Sequence, residues 1–494
     1  MEPLGALVGP WKRALQRSRK EHSNELPDYH SEARIDSLIT SSHPKSFELG
    51  TGASIYTNSL LPAILHARSE VILVTCFWAP SATLTALKET LAQLAVHRLR
   101  LTREGEPHAG DIPWLRVRIC FSSRSLFQKL FHTTSNDGYI YPAEKWEGTL
   151  GLPSPGLLKA GRIDLQVKSL FFLPFSVMHP KFLIVDRRIA WLPSCNISWE
   201  SWLEGCVAIT GNAVQGLVAF YRDTWERNLD LNGVFTNIPS YPAATAVGLS
   251  TIQSPARRFA LFEVLTVATV LLPSSHHQNP RLRPLPWLSH PIPPSTPLNA
   301  AVLRLFELAE RSIYMQTPNL TSAAVMNGLL DALQRGVHVT IVTSKGMMLL
   351  EQIVTSGTTT ALCLRSLIRR YNRLVDSKAK PRSITSASSA EPMMDLEPGR
   401  QRIGSLKISY FHSKPENARN KITEEPVHSH LKLTIVDGQY TVLGSGNMDR
   451  ASWFTSQELG ILFHSFELAK AVGDTVSAGL VDRTRTIFDS PQYG

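Results

Sequence analysis

The chain has 494 residues, of which 43% are hydrophobic, and its formal net charge is +10. This composition is typical of a globular protein, and the length exceeds what one core usually serves, so two core-sized units are expected. The positive charge favours an anionic partner, either phospholipid headgroups or nucleic acid, without separating the two. The five cysteines are odd in number and lack metal-type spacing, which indicates reduced thiols in an intracellular protein.

Residues 1–45 form a basic N-terminal segment in which Leu4, Val8, Trp11 and Leu15 recur at helical spacing. The pattern predicts an amphipathic helix that lies on an anionic membrane surface. A mitochondrial transit peptide and a frayed basic terminus are the alternatives. The segment lacks the order of a secretory signal, so we expect a protein that stays inside the cell, peripheral on a membrane.

The chain contains no stretch that predicts a transmembrane segment. The most apolar candidate, Phe259 to Pro273, is short and contains Glu263. A membrane-spanning helix needs about 20 apolar residues. We therefore interpret this stretch as a buried strand or helix.

Two regions, residues 46–235 and 298–494, repeat the same order of predicted elements. Residues 63–75 and 305–317 each show the end of an amphipathic helix followed by a buried strand. Further helices and strands alternate after them, so each half is predicted to be α/β with a largely parallel component. The fold class is thus two pseudo-symmetric α/β halves packed around one shared site.

Two polar stretches interrupt this pattern. Residues 236–297 connect the halves, and their Pro- and Ser-rich part, residues 276–297, is predicted to be a linker. Residues 377–400 are rich in Ser, Lys, Pro and Glu, which predicts an exposed loop inserted in the second half.

Each half carries the same five polar residues at the same offsets. The first set is His179, Lys181, Asp186, Ser194 and Asn196, and the second set is His430, Lys432, Asp437, Ser445 and Asn447. In both sets Lys follows His by two residues, Asp by seven, Ser by fifteen and Asn by seventeen. Such a match, repeated once, outweighs the usual interpretation of a single histidine on an apolar strand as a core residue.

This residue set suits a phosphate. His and Lys, two apart on a strand, point to the same face, and a hairpin with a second strand would return Ser and Asn beside them. Lys supplies a cation while Ser and Asn supply neutral donors for phosphate oxygens. Asp186 and Asp437 lie on the other face at the strand ends, so we assign them mainly a structural role in the turn. A metal is disfavoured beside the lysines, and no cofactor is expected.

Two such halves, packed face to face, would present two histidines to one phosphorus. One histidine would attack it to form a covalent phosphohistidine, and the other would protonate the leaving alcohol and later deprotonate the incoming water or alcohol. This explains the duplication. One monomer would then hold a complete site.

The pattern His-x-Lys-x4-Asp followed by Gly-Ser-x-Asn resembles the phospholipase D superfamily. Residues 443–452 and 456–459 are most similar to cardiolipin synthase-type phosphatidyltransferases, and residues 207–211 and 220–225 resemble the same group. The resemblance implies a pseudo-two-fold α/β fold, a metal-independent site between the halves and a phosphohistidine. It implies these site residues: His179 and His430 as the catalytic pair, with His179 the nucleophile, and Lys181, Lys432, Asn196 and Asn447 as phosphate ligands.

Three further residues qualify the resemblance. Glu204 and Glu458 are candidates to orient a histidine through its second ring nitrogen, and a solvated surface role is the alternative for each. Pro193 stands where the family has glycine, whereas the second half keeps Gly444. Proline removes a backbone N–H, so the first half would contribute less if that amide binds phosphate.

The resemblance predicts a phospholipid phosphodiesterase or phosphatidyltransferase. A nuclease of the same superfamily is the first alternative, since the same chemistry cleaves nucleic acid, although no dense basic stripe interleaved with aromatics supports it. A binding module that lost its activity is the second. Hydrolysis and transfer proceed from the same intermediate, so the sequence leaves that choice, and the headgroup, open.

Overall fold

The computed structural model describes residues 4–18, 27–103, 112–125, 137–172, 176–198, 201–231, 244, 251–263, 265–275, 292–379, 402–414 and 424–490. Most of the predicted linker, residues 276–291, and of the predicted exposed loop, residues 380–400, lie outside these ranges. Residues 377–379 of that loop are the end of a helix.

The first half begins with two helices and then alternates strands and helices. Its helices are α1 (Gly5–Ser18), α2 (Glu32–Asp36), α3 (Gly52–Ile55), α4 (Leu61–Leu65), α5 (Ala82–Arg103), α6 (Pro155–Ala160) and α7 (Asn212–Trp225). Its strands are β1 (Ile39–Thr51), β2 (Glu70–Phe77), β3 (Leu115–Ser123), β4 (Tyr139–Ile140), β5 (Ile163–Ser169), β6 (Phe171–Phe172), β7 (Ser176–Val177), β8 (Phe182–Val185), β9 (Ile189–Pro193) and β10 (Trp202–Thr210). A π-helical turn, Tyr56–Leu60, and a 3-10 turn, Ala143–Lys145, complete it.

The second half repeats this order. Its strands are β11 (Arg258–Leu261), β12 (Val267–Ser274), β13 (Ser312–Thr317), β14 (His338–Thr343), β15 (Leu406–Phe411), β16 (His428–Ser429), β17 (Leu433–Val436), β18 (Tyr440–Gly444), β19 (Glu458–His464) and β20 (Thr484–Asp489). Its helices are α8 (Pro297–Leu308), α9 (Ala323–Gln334), α10 (Leu349–Ser356), α11 (Thr360–Ala379), α12 (Arg450–Phe454) and α13 (Phe466–Leu480).

The two sheets follow one topology. Strands of the first half pair in the order β5-β3-β2-β8-β9-β10-β1, and those of the second half in the order β15-β14-β13-β17-β18-β19-β12. The first three strands of each series run parallel, and the others pair antiparallel. Strands β8 and β17 are short, mostly apolar and wholly buried, as is typical of central strands. The predicted α/β fold with two equivalent halves is confirmed.

The segment between the halves is partly structural. Residues 39–42 at the start of β1 pair with β12, while the rest of β1 pairs with β10. Strands β1 and β12 therefore join the two sheets. Both strands start outside the predicted bounds, β1 before residue 46 and β12 before residue 298. The apolar stretch Phe259 to Pro273 contributes β11 and most of β12, as the strand alternative predicted.

The N-terminal helix differs from the prediction. Helix α1 forms, but Leu7, Trp11 and Leu15 are buried in the protein core. The Trp11 indole N–H donates to the carbonyl of Pro297, at the first residue of α8, at 3.0 Å. The apolar face that was expected to lie on a membrane is thus covered by the second half of the same chain.

Two further features of the fold concern the cysteines and the lengths of the helices. All five cysteines are free thiols. Within the described ranges, no helix is long and apolar enough to cross a membrane.

Candidate active site at the interface of the halves

Each histidine motif is tied to the opposite half through its backbone. The His179 N–H donates to the carbonyl of Gln457 at 2.9 Å, and the His430 N–H donates to the carbonyl of Leu203 at 2.8 Å. Gln457 and Leu203 directly precede the glutamates of the other half. The motif histidines and lysines were predicted to lie on strands, but β8 and β17 begin one residue after each lysine. The histidines therefore lie in extended links that cross to the other half.

The crossing places each histidine on a glutamate of the opposite half. Nδ1 of His179 lies 2.7 Å from Oε2 of Glu458, and Nδ1 of His430 lies 2.7 Å from Oε1 of Glu204. Both carboxylates are completely buried. A carboxylate on Nδ1 fixes the ring so that Nε2 carries the chemistry. The orienting role was one of the two predicted alternatives for these glutamates, but the exchange between halves was not predicted.

The two serines support the glutamates. Ser194 Oγ donates to Glu204 Oε2 and Ser445 Oγ donates to Glu458 Oε2, each at 2.5 Å. Each hydroxyl also accepts a backbone N–H at 3.0 Å, from Gly205 and Leu459 respectively. We predicted these serines as phosphate ligands, but the structure commits them to holding a carboxylate. Each half thus builds a Ser–Glu pair for the histidine of the other.

The two lysines differ in their contacts. Lys181 Nζ donates to the carbonyl of His179 at 2.9 Å. Lys432 Nζ donates to the carbonyl of His430 at 2.6 Å and lies 2.8 Å from both nitrogens of its ring. Both lysines are buried. An ammonium against the ring leaves Nε2 of His430 as an acceptor and opposes its protonation.

The histidine pKa values are low for one shared reason. Burial lowers the pKa of His179, and the charges of Lys181 and Lys432 lower it further while Glu458 opposes them. Burial and the same two lysines bring the pKa of His430 to about 3 against the pull of Glu204. Both lysines act on both rings, so the four groups form one electrostatic unit. With no anion bound, both histidines are neutral near pH 7.

Glu204 is coupled to the same unit through His430 and Lys432. Burial lowers the pKa of Lys432 to about 7, although Glu204 opposes the shift. Burial alone would raise the pKa of Glu204, but His430, Lys432 and the hydrogen bonds to the carboxylate outweigh it, so that pKa is lowered. A buried lysine whose pKa lies near 7 becomes fully protonated when an anion binds beside it. The site is therefore arranged to receive an anion.

The two asparagines are not equivalent. Oδ1 of Asn196 accepts the backbone N–H of Cys76 at 3.1 Å, and its Nδ2 is buried without a partner among the described residues. Asn447 instead donates through Nδ2 to Asp449 at 3.0 Å and leaves its Oδ1 buried and unpartnered. Asn196 thus has a free donor for a phosphate oxygen, as predicted of both, whereas the donor of Asn447 is engaged.

The motif aspartates lie away from the histidines. Asp186 accepts the N–H groups of Ser69 and Glu70 at 2.8 and 2.9 Å, and Asp437 accepts those of Arg311 and Ser312 at 2.8 Å each. Both aspartates have positive φ in the turn between the paired strands. They fasten that hairpin to the start of the neighbouring central strand, which agrees with the structural role expected for them.

Two residues near the histidines were not predicted. The Trp202 ring packs against the His430 ring with centroids 4.9 Å apart. Asp449 is buried, which raises its pKa, and it caps α12 by accepting the Ser452 N–H at 2.8 Å. Trp202 lies two residues before Glu204, and Asp449 two after Asn447, so adjacency to the motifs was the available signal. Among the described residues, no three His, Cys, Asp or Glu side chains gather as a metal site.

Two equivalent α/β halves whose histidine motifs meet at their interface define a duplicated α/β protein with one shared site. Residues 302–477 match the family described as "Cardiolipin synthase, PLD-like domain". This match lies within the second half of the chain and agrees there with the resemblance to the phospholipase D superfamily. Among curated proteins, none matches the sequence significantly.

One solved structure shows a similar architecture over nearly the whole chain. The phosphatidylserine synthase of Haemophilus influenzae Rd KW20 aligns over 96% of this chain and 92% of its own, with a TM-score of 0.50 and 13% identity. This likeness concerns the fold.

Two further structures are more distant. Nuc of Salmonella typhimurium, a phospholipase D family member, aligns over 46% of this chain and 99% of its own, with 15% identity and a TM-score of 0.26. The polyphosphate kinase of Porphyromonas gingivalis aligns over 92% and 53%, with 11% identity and a TM-score of 0.43. At these scores neither bears on function.

Proposed function

We propose that the protein is a phosphodiesterase or phosphatidyltransferase that acts on glycerophospholipids through a covalent phosphohistidine. The observation that carries the proposal is the exchanged pair of His–Glu contacts. It presents two oriented imidazoles and two lysine ammonium groups from one chain to the same small region. Such a set suits attack on a phosphodiester, because the nucleophile, the proton donor and the countercharge are all present.

His179 is the proposed nucleophile. Its side chain is 12% exposed against 1% for His430, and within the described ranges its Nε2 makes no hydrogen bond. Nε2 attacks phosphorus, and the bond from phosphorus to the leaving oxygen breaks as His430 protonates that oxygen. His430 then takes the proton of an incoming water or alcohol, whose oxygen displaces Nε2 and restores free His179.

His430 takes up a proton from solvent when the substrate binds. In the empty site its pKa of about 3 keeps the ring neutral. A phosphodiester anion draws the Lys432 ammonium towards its oxygens and adds negative charge beside the ring. Both changes favour the imidazolium, which Glu204 then stabilises.

Two observations favour a lipid substrate over other phosphodiesters. The matched family carries the cardiolipin synthase name, and one solved structure that aligns over 96% of this chain is a phosphatidylserine synthase. The net charge of +10 suits an anionic lipid surface and a nucleic acid equally, so it does not add to this choice. Transfer to an alcohol and hydrolysis to phosphatidic acid both follow from the same intermediate.

The test compares His179→Ala and His430→Ala with the full-length wild type on phosphatidylglycerol and phosphatidylcholine, with products identified by mass spectrometry. We expect phosphatidic acid, cardiolipin or another transfer product from the wild type, and a loss of about 10⁴-fold or more in each variant. His66→Ala is the matched control, since His66 is exposed and far from the interface in sequence.

A p-nitrophenyl phosphodiester separates the two histidines, because its leaving group needs no proton. His430→Ala should still release p-nitrophenol once and retain phosphorus covalently, whereas His179→Ala should not. Cleavage of DNA without turnover of any phospholipid would refute the lipid assignment.

A further inference from the structure

Helix α10 exposes its apolar residues and buries a polar one, which is the reverse of an ordinary surface helix. Its apolar residues Leu349, Leu350, Ile353 and Val354 are exposed by 47%, 77%, 54% and 55%. Its one buried residue is the polar Gln352. Single exposed apolar side chains are common, but four on one short helix form a patch of the kind that marks an interaction surface.

Buried hydrogen bonds fix this orientation. Gln352 donates to the carbonyl of Met347 at 2.6 Å and accepts the Thr360 N–H at 2.6 Å and its hydroxyl at 3.0 Å. Rotating α10 to bury the leucines would break these bonds and leave buried polar groups unpaired. The outward apolar face is therefore built into the local structure.

The helix that follows adds positive charge. The exposed face of α11 begins with Leu362 and continues with Arg365, Arg369 and Arg373, one helical turn apart. Within the described ranges, no acidic side chain forms an ion pair with these three arginines. An apolar face beside an unneutralised basic face is the composition of helices that lie in the headgroup region of anionic membranes.

This surface lies at the rim of the candidate active site. Ser344, five residues before α10, accepts the Ser429 N–H at 2.9 Å and donates to the Ser429 carbonyl at 2.7 Å. Ser429 directly precedes His430. Helix α10 also packs on α12, which follows Asn447. A membrane that touched α10 would thus lie close to the phosphate-binding side chains.

We propose that α10 and the exposed face of α11 form a docking surface that inserts into the headgroup region of a phospholipid bilayer containing anionic lipid. Its exposed large apolar residues are all aliphatic, and the arginines of α11 adjoin them, which fits an anionic lipid surface better than the aromatic anchors of protein interfaces. The inference rests on the proposed function only for the reaction that docking would serve; lipid binding itself requires no turnover.

The experiment measures flotation of the full chain with phosphatidylcholine vesicles, with and without phosphatidylglycerol. Leu350→Ser combined with Ile353→Ser should weaken binding about tenfold or more. The matched control, Leu261→Ser combined with Val481→Ser, changes two exposed apolar residues elsewhere and should bind as the wild type does. Arg365→Gln, Arg369→Gln and Arg373→Gln should each weaken binding to the anionic vesicles, on the order of fivefold, and less at high salt.

A second variant reports on insertion directly. Leu350→Trp should be quenched by brominated phosphatidylglycerol beyond the wild-type background. Unchanged flotation of the serine pair, or absence of added quenching, would overturn the proposal. Sedimentation adds a third outcome: a dimer that the serine pair abolishes would assign the surface to a second copy of the chain.

Turnover measurements distinguish a failure of the docking surface from a failure of the proposed function. The serine pair should cleave the p-nitrophenyl ester as the wild type does, which also shows that it is folded. Vesicle binding by a wild type that turns over no phospholipid would defeat the proposed function and leave the docking surface in place. Phospholipid turnover with unchanged binding by the serine pair would do the reverse.

Discussion

The two halves of the site carry the same residues in different surroundings. In the first half, Lys181 donates to the backbone carbonyl of His179 and, within the described residues, makes no hydrogen bond to the ring, which is partly exposed. In the second half, Lys432 lies against the His430 ring, Trp202 packs on it, and the ring is almost fully buried. Two copies of one motif can thus divide the work: an accessible ring suits a nucleophile, and an enclosed ring suits proton transfer.

Substitution of the two glutamates should have the largest effect on activity. Glu458→Gln and Glu204→Gln should each lower kcat about 10²-fold, because each removes the charge that orients a histidine. Each substitution should impair the histidine of the opposite half. In single-turnover assays with the p-nitrophenyl ester, Glu458→Gln should slow phosphoenzyme formation, and Glu204→Gln should leave that step nearly intact.

The exposed Glu307 provides a control, since Glu307→Gln changes a surface carboxylate that pairs with Arg304 and lies outside the candidate site. If Glu204→Gln slowed phosphoenzyme formation as much as Glu458→Gln, the division of roles between the halves would be wrong.

The pH dependence should single out the second half. Lys432 has a pKa of about 7 in the free protein and loses its proton as the pH rises through that value. The neutral amine no longer attracts phosphate, so kcat/KM should fall above about pH 7, by about tenfold per pH unit for one required proton. Lys432→Arg should remove this fall, whatever its effect on the maximum, because guanidinium stays protonated.

Lys181→Arg is the matched substitution in the first half. A basic limb that Lys181→Arg removed and Lys432→Arg retained would assign the titrating ammonium to the wrong half.

The smallest expected effects concern stability, at the position where the copies differ. Gly444 has φ of +150°, and a Cβ there would lie 2.3 Å from the carbonyl oxygen of Leu459. Gly444→Ala should lower the free energy of unfolding by about 2 kcal/mol or more. Pro193→Ala, at the equivalent position, should change it by about 1 kcal/mol or less. Denaturant midpoints measure both, and equal losses would show that the strands have the same shape.

Several features of the fold were predictable because their causes are local. The apolar run of β2 and the paired helix–strand patterns predicted both halves. The strand boundaries at the motifs were missed by only a few residues, but this moved the histidines from strands to the links before them. The N-terminal helix was predicted from the spacing of its apolar residues, but its packing on the second half was not. An amphipathic pattern shows that one face is covered and does not show by what.

The duplicated spacing predicts two equivalent sets of His, Lys, Ser and Asn, since offsets along a hairpin follow from strand geometry. How the two sets combine depends on the packing of the halves. The His179–Glu458 and His430–Glu204 pairs join residues 279 and 226 positions apart, and no local rule links them. The same packing gave Ser194 and Ser445 to the glutamates and enclosed His430 more than His179. Burial and charge at the interface depend on the side chains that the other half contributes. The spacing of residues within one half gives no information about them.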